Sequence, residues 1–251
     1  MKLELKLFNL LAEKHSSLNE INDVLSQGVD INFVNDEGLT PLLQLTKSGH
    51  LRNDLMDVIQ LFLTQDGIDI NCKDPEGWNA LFYLCRLYQK NNFVDIVRLL
   101  IDHGIDVTWK NQLGQNALLI LCLHYSIENL LDLIRLLIDH GIDVNYRNLK
   151  KQGWNALHCL CKNYKNINII DIVRVLIEAG IDINCINNDD GTLFIFCAII
   201  MRKKIWMMLF NFLSTMELKL IAKATVVVDG MLFTFCAITI PASNLLTHFD
   251  S

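Results

Sequence analysis

The sequence has no glycine-rich phosphate loop: nothing in it fits G-x-x-x-x-G-K-[ST] or G-x-G-x-x-G, the patterns whose backbone amides cradle phosphates. It also has no G-x-S-x-G elbow and no H-E-x-x-H, the signatures of a serine nucleophile and a zinc-bound hydrolase. The histidines, His15, His50, His103, His124, His140, His158 and His248, pair with no Cys or Asp at a catalytic spacing. No catalytic residue, cofactor or metal is therefore expected, and the chain reads as non-enzymatic. A basic face is missing too. The formal net charge is −6 and both signs are interspersed, which argues against a general nucleic-acid binder. No signal peptide is expected, because Lys2, Glu4 and Lys6 interrupt the opening MKLELKLFNL.

Long unbroken apolar runs are lacking as well. Residues 192–213 are very hydrophobic, but Arg202, Lys203 and Lys204 divide them into halves of about ten, and a helix needs roughly 20 apolar residues to cross a bilayer. Residues 221–240 contain Lys223, Asp229 and Gly230, which are costly at mid-membrane. Both segments read as buried helices, since a helix that is apolar all round can simply be core.

What is abundant is apolar residue, 51% against 20% charged, and it recurs with a period. Five glycines open similar pentads: GVDIN at Gly28, GIDIN at Gly67, GIDVT at Gly104, GIDVN at Gly141 and GIDIN at Gly180, in steps of 39, 37, 37 and 39. A second series runs in phase: GLTPLLQLT at Gly38, GWNALFYLC at Gly77, GQNALLILC at Gly114 and GWNALHCLC at Gly153. A third is helical, MDVIQLFL at Met56, VDIVRLLI at Val94, LDLIRLLI at Leu131 and IDIVRVLI at Ile170. Each unit predicts a turn, a short helix, a loop, a second helix and a glycine stop. Thr40, Asn79, Asn116 and Asn155 are expected N-caps, with Pro41 at the first helical position. Gly67, Gly104, Gly141 and Gly180 are expected to close the second helices in the left-handed conformation. Leu99 and Leu136 are expected in the core.

These residues resemble the ankyrin repeat, with its G-x-T-P-L-H-x-A helix start and G-A-D-V-N finger start. Thr40-Pro41-Leu42 matches the start most closely, and Ala156-Leu157-His158 keeps its second half. The family period is about 33 residues; here it is longer by about four to six, mostly between the helices near Gln89–Asn92. The resemblance covers residues 28–191. It implies an all-α helix-turn-helix solenoid with short β-hairpin fingers, curved or L-shaped, over a single domain 1–251. In it, 1–37 form an N-terminal capping helix pair and first finger, 38–190 four clear repeats, and 191–251 degenerate repeats and a C-terminal cap. The last assignment rests on GTLFIFCAI at Gly191 and GMLFTFCAI at Gly230, which lie 39 apart.

Placed in register, most striking residue types have structural readings. Cys85, Cys122 and Cys161 each fall eight residues after a repeat glycine, a slot for a small buried side chain. Reduced structural thiols are expected rather than zinc ligands or disulfides. Asp57, Asp95, Asp132 and Asp171 open second helices, with Arg98, Arg135 and Arg174 three residues after the last three. They read as dipole partners and intrahelical pairs. Tyr88, Tyr125 and Tyr164 read as packing for the lengthened loop. His158 occupies the resemblance's TPLH histidine slot and is expected to hydrogen-bond between repeats.

The family resemblance implies a protein partner met on the concave side by finger tips and first-helix edges. By register this selects Leu39, Trp78, Gln115 and Trp154 after the glycines, and Lys47, Arg86 and Lys162 nine residues after them. Trp78 and Trp154 read equally as interface hot spots or as packing on the next finger. Trp109, Lys110, Tyr146 and Arg147, on or near finger flanks, are secondary candidates. The expectation is a cytoplasmic or nuclear monomer that scaffolds a protein partner, without nucleic acid or membrane. The alternatives are an adaptor, such as a ubiquitin-ligase substrate receptor or an effector, or a membrane-associated protein using the apolar C-terminal segment.

Overall fold

A computed structural model of the protein describes residues 2–124, 129–150, 152–163 and 169–188, and the backbone of 224–228 and 231–235. The chain forms two compact units, residues 1–142 and 143–251. The first holds α1 (Lys2–Ala12), α2 (Leu18–Leu25), α3 (Pro41–Ser48), a 3₁₀ turn (Gly49–Leu51), α4 (Leu55–Leu63), α5 (Ala80–Leu87), α6 (Phe93–Asp102), α7 (Ala117–His124) and α8 (Leu130–Asp139). The second holds α9 (Ala156–Lys162), α10 (Ile169–Glu178), and the strands β1 (Ala224–Val228) and β2 (Met231–Phe235).

Local chemistry starts and stops these helices as expected. The side chains of Thr40, Asn79, Asn116 and Asn155 accept from the backbone N–H of Leu43, Phe82, Leu119 and His158, at 3.4, 3.0, 3.0 and 3.2 Å. Ser17 and Glu20 add a reciprocal capping box at α2. Gly67, Gly104, Gly141 and Gly180 sit at φ of 76°, 87°, 84° and 85°, where an L side chain is strained. His103 and His140 back-bond to the carbonyls of Leu99 and Leu136 at 2.8 Å.

In the first unit α1, α3, α5 and α7 pack in succession, and so do α2, α4, α6 and α8. The seam of α6 is Phe93, Ile96, Val97 and Leu100, all buried, the i, i+3, i+4, i+7 stripe of an amphipathic helix. Leu136 is buried as expected, but Leu99 is only half-buried because it falls off that stripe. Leu100→Ala is therefore expected to cost about 2–5 kcal/mol and Leu99→Ala under about 1.5, read from urea denaturation midpoints. Equal losses would show that the stripe is misplaced.

Two rows of hydrogen bonds join successive repeats in this unit. One runs along the fingers. Asn32 Nδ2 donates to the Gly67 carbonyl at 2.7 Å while its Oδ1 accepts from Asp69 N–H at 2.9 Å. Asn71 repeats both bonds with Gly104 and Asp106, at 2.9 and 2.7 Å. Thr108, at the next equivalent position, turns its hydroxyl to Asp106 instead. Farther along the finger, Gln112 N–H donates to the Glu76 carbonyl at 3.0 Å. The other row uses the lengthened interhelix loops. Lys90 donates to the Arg52 carbonyl and to Asn53, Gln89 Nε2 donates to the His124 carbonyl at 3.0 Å, and Asn129 Nδ2 donates to the Asn91 carbonyl at 3.1 Å. Tyr88 fills this loop as expected, buried against Phe93, with its hydroxyl on Asn92. Tyr125 and Tyr164 lie outside the described residues.

The second unit repeats the finger bond. Asn145 donates to the Gly180 carbonyl at 2.8 Å and accepts from Asp182 N–H at 2.6 Å. The finger hairpins of both units are minimal. Asn35, Asp74, Asn111 and Asn148 donate backbone N–H to the carbonyls of Leu39, Trp78, Gln115 and Trp154 at 3.0–3.1 Å.

One expectation is corrected at the C-terminal end. The repeat register starts a helix just after Gly230, but β1 and β2 pair antiparallel there, from Ala224 opposite Phe235 to Val228 opposite Met231. The physical reason is legible afterwards. Thr225-Val226-Val227-Val228 and Met231-Leu232-Phe233-Thr234-Phe235 are rich in β-branched and aromatic residues. Asp229-Gly230 between them is a favoured two-residue hairpin link. The remainder of the expected repeats in 191–251 lies outside the described residues.

Candidate functional site

In the first unit the position after each helix-start glycine, Gly38, Gly77 and Gly114, is a core position, which corrects the reading of Leu39 and Gln115 as surface and decides the open reading of Trp78 for packing. Leu39, Trp78 and Gln115 are 1%, 7% and 8% exposed. The backbone explains it. Each residue closes its finger with its carbonyl, and its N–H donates to a side-chain oxygen of Asn35, Asp74 or Asn111 at 2.9, 2.7 and 2.9 Å. So anchored at the finger base, Trp78 packs edge-on to Phe82 and tilted against Tyr83, with ring centroids 6.1 and 5.5 Å apart. Gln115 accepts from Asn111 Nδ2 at 3.3 Å. In the second unit Trp154 is half-buried.

Nine residues after the glycine the side chains reach the surface. Arg86 and Lys162 are exposed and Lys47 is partly so. Arg86 lies over the Trp78 ring at 5.3 Å, and Lys162, in the other unit, over Trp154 at 5.7 Å. Lys47 instead pairs with Glu37 at 3.1 Å. A third cation–aromatic pair escaped the sequence reading: Lys73 sits 3.3 Å from the centroid of Trp109, whose Nε1–H donates to the Gly77 carbonyl at 2.8 Å. Its signal was available in the finger register, because Lys73, Lys110 and Arg147 all fall six residues after a finger glycine. Arg147 is committed to its own finger and the next, donating to the carbonyls of Gly153 and Ile186. Lys110 is exposed and Tyr146 half-buried.

Titration of this surface follows its burial. The Tyr83 hydroxyl donates to buried Asp74. Burial first, then that bond and the negative charges of Asp74, Glu76 and Glu37 push its pKa well up, so it stays a neutral donor. His124 is held below the usual histidine range by burial and by the positive charge of Arg86. That places Arg86 and His124, the basic ends of α5 and α7, within electrostatic reach of each other.

The cysteines are buried as the register implies. Cys72, Cys85, Cys122, Cys159 and Cys185 are free thiols. Cys161 corrects the expectation of reduced thiols throughout: it is disulfide-bonded. The register shows which slots are buried but not which sulfurs meet. Burial raises Cys72 to about 11 and Cys159 to about 12, and Cys72 also lies 3.0 Å from Thr40 Oγ1. Since the thiolate is the nucleophile, iodoacetamide at pH 8 should leave Cys72, Cys85 and Cys159 unmodified in the native protein and label them in urea. Peptide mass spectra give the readout, and native labelling of Cys85 would contradict its burial.

His158 is fully buried, with Nδ1 2.7 Å from Oδ1 of Asn155, the cap of its own helix. Of the expected intrahelical ion pairs, Arg174–Asp171 forms at 3.3 Å; Asp95 and Arg98, and Asp132 and Arg135, line an open groove between α6 and α8 without pairing. Among the described residues no group of three or more His, Cys, Asp or Glu is placed to hold a metal. No described helix is long and apolar enough to cross a membrane.

Paired helices stacked one unit on the next, joined by glycine-closed fingers, define a helix-turn-helix repeat protein. The family model for ankyrin repeats in three copies matches residues 8–111, 51–148 and 90–187. The chain belongs to the ankyrin repeat family. An ankyrin repeat domain from Acinetobacter baumannii AYE, known from its crystal structure, shares 23% sequence identity at a TM-score of 0.63, over 84% of this chain and 97% of that one. A search of curated proteins finds no match. Ankyrin repeats are generally protein–protein interaction modules and typically non-enzymatic.

Proposed function

We propose that this chain is a non-catalytic scaffold that binds one protein partner, as a monomer in the cytoplasm or nucleus, through the ends of its first helices and the adjoining finger flanks. The observation that carries this reading is the contrast between slots. The capping and glycine positions are committed to the fold, whereas the slot of Lys47, Arg86 and Lys162 reaches solvent, Arg86 and Lys162 over aromatic rings and Lys47 on Glu37. Arginine and tryptophan together are favoured at interface hot spots.

The test is site-specific photocrosslinking. A benzophenone amino acid replaces Arg86 or, on the opposite row of helices, Arg98, and adducts formed in source extract are identified by mass spectrometry. The reading expects one protein adduct from position 86 that is absent at 98 and lost when Lys47→Glu is added. Surface charges are preferred to Trp78→Ala, which would hollow the finger base as well as alter the face. Adducts from 98 alone would move the site to the second helices.

A further inference from the structure

Resting on that reading, we infer that the first-helix face of residues 38–124 takes an extended, acidic polypeptide segment, its carboxylates meeting Arg86 and Lys73 on the tryptophan rings beneath them. Three observations carry it.

The first is a segregation of charge. No Asp or Glu occurs in α3, α5, α7 or α9, and each of these helices has a basic residue in its last turn, Lys47, Arg86, His124 or Lys162. The second helices α4, α6, α8 and α10 carry Asp57, Asp95, Asp132 and Asp171 in their first turns. In a chain of net charge −6, these first helices thus carry only basic charge of their own.

The second observation is that these charges lack internal partners. Among the described residues, Arg86 and Lys73 have no carboxylate within ion-pair distance; each has only a ring, Trp78 and Trp109. The two pairs adjoin, because Trp109 donates to the carbonyl of Gly77, the residue before Trp78. A cation over a ring keeps its outer side open to an anion while the ring shields it from water on the other. The carboxylates on this side stand at the finger turns, and Glu37 is already engaged by Lys47.

The third is that burial first, and then the positive charge of Arg86, hold His124 on the adjoining first helix below the usual histidine range, so Arg86 is the standing charge at that point of the row. Nucleic acid offers phosphate to the same cations, but it tracks a longer basic stripe than this short row provides, and the overall negative charge opposes it.

The test uses the full chain and fluorescence anisotropy. The probes are a fluorescein-labelled peptide alternating glutamate and serine, its glutamine counterpart, and a single-stranded oligonucleotide of similar length. Saturable binding of the glutamate peptide is expected, weakened about tenfold as sodium chloride rises from about 20 to about 200 mM. Arg86→Glu and Lys73→Glu should each weaken it about tenfold, while Arg98→Glu on the opposite row leaves it unchanged; circular dichroism confirms that each variant folds. Equal binding of the glutamine peptide, tighter binding of the oligonucleotide, or an equal loss with Arg98→Glu overturns the inference. A crosslinked partner at position 86 that excess glutamate peptide does not displace overturns it too, yet leaves the proposed function standing. Absence of any adduct at 86, with peptide binding intact, removes the proposed function instead.

Discussion

Arg52→Ala is expected to lower stability by about 3–5 kcal/mol, the usual consequence of removing one member of a buried charged network. Arg52 is 1% exposed. Its guanidinium forks onto Asp54, Nε to Oδ1 at 3.0 Å and NH2 to Oδ2 at 2.9 Å. The remaining donors reach into the first helix pair: the Leu10 and Glu13 carbonyls at 3.3 and 3.2 Å, Ser16 Oγ at 2.6 Å and the Ser16 carbonyl at 2.9 Å. Its own carbonyl accepts from Lys90 in the following repeat. Alanine would leave the Glu13 and Ser16 carbonyls and the Asp54 carboxylate short of their donor, while Leu10 keeps the Ser16 hydroxyl; each such loss costs about 1–3 kcal/mol where water cannot replace it. Lysine keeps the charge but not the planar fork, so Arg52→Lys should recover less than half of the loss. Urea denaturation gives the magnitude, and hydrogen exchange gives the place: amides of α1 and α2 should lose protection before those of α5 and α6. A loss under about 1 kcal/mol would mean the network is no stronger than an exposed ion pair.

Gly38→Ala should cost about 2–5 kcal/mol, whereas Gly28→Ala and Gly67→Ala should cost only about 1–2. All three glycines have φ of 76–78°, so all suffer the left-handed strain of an L side chain. Space separates them. A Cβ on Gly28 or Gly67 meets nothing within 4 Å, but on Gly38 it falls 2.4 and 2.5 Å from Cδ and Cγ of Pro75, the finger of the next repeat. A proline ring cannot swing aside. Gly38→Ala combined with Pro75→Ala should therefore return to about the cost of strain alone, a coupling of about 1–3 kcal/mol in a double-mutant cycle. Additive losses would show that the fingers are not in contact at that point.

These two residues mark the boundary of what the chain discloses before folding. Helix starts at Thr40 and Asn79 were legible because a cap acts within three residues of itself. Finger glycines were legible because a φ requirement is local and repeats. The inward stripe of α6 was legible to within one residue, with Leu100 rather than Leu99 in the seam. Arg52 was not, because it stands outside the periodic slots and its partners lie 36–42 residues away. The burial of Leu39 and Gln115 was not legible, and the choice for Trp78 between interface and packing stayed open, because variation between repeats suggests exposure while burial depends on how the finger base turns. The cations of the first unit's candidate face, Arg86 and Lys47, were legible from position alone, as was Lys162 in the second unit. The register marked Lys73 as one of a basic series, but not its seat over Trp109, since that pair joins two different repeats.

The residues by which these repeats exceed the usual length do more than fill a loop. Through Lys90, Gln89 and Asn129 they fasten successive repeats along the edge away from the fingers, while Asn32 and Asn71 fasten them along the finger edge. A stack joined along one margin opens like the pages of a book about its spine. Joined along two, it can fan only by breaking one row or the other. Residues 28–130 should accordingly behave in a force measurement as a stiff plate that yields in steps, with little of the soft extension of a spring.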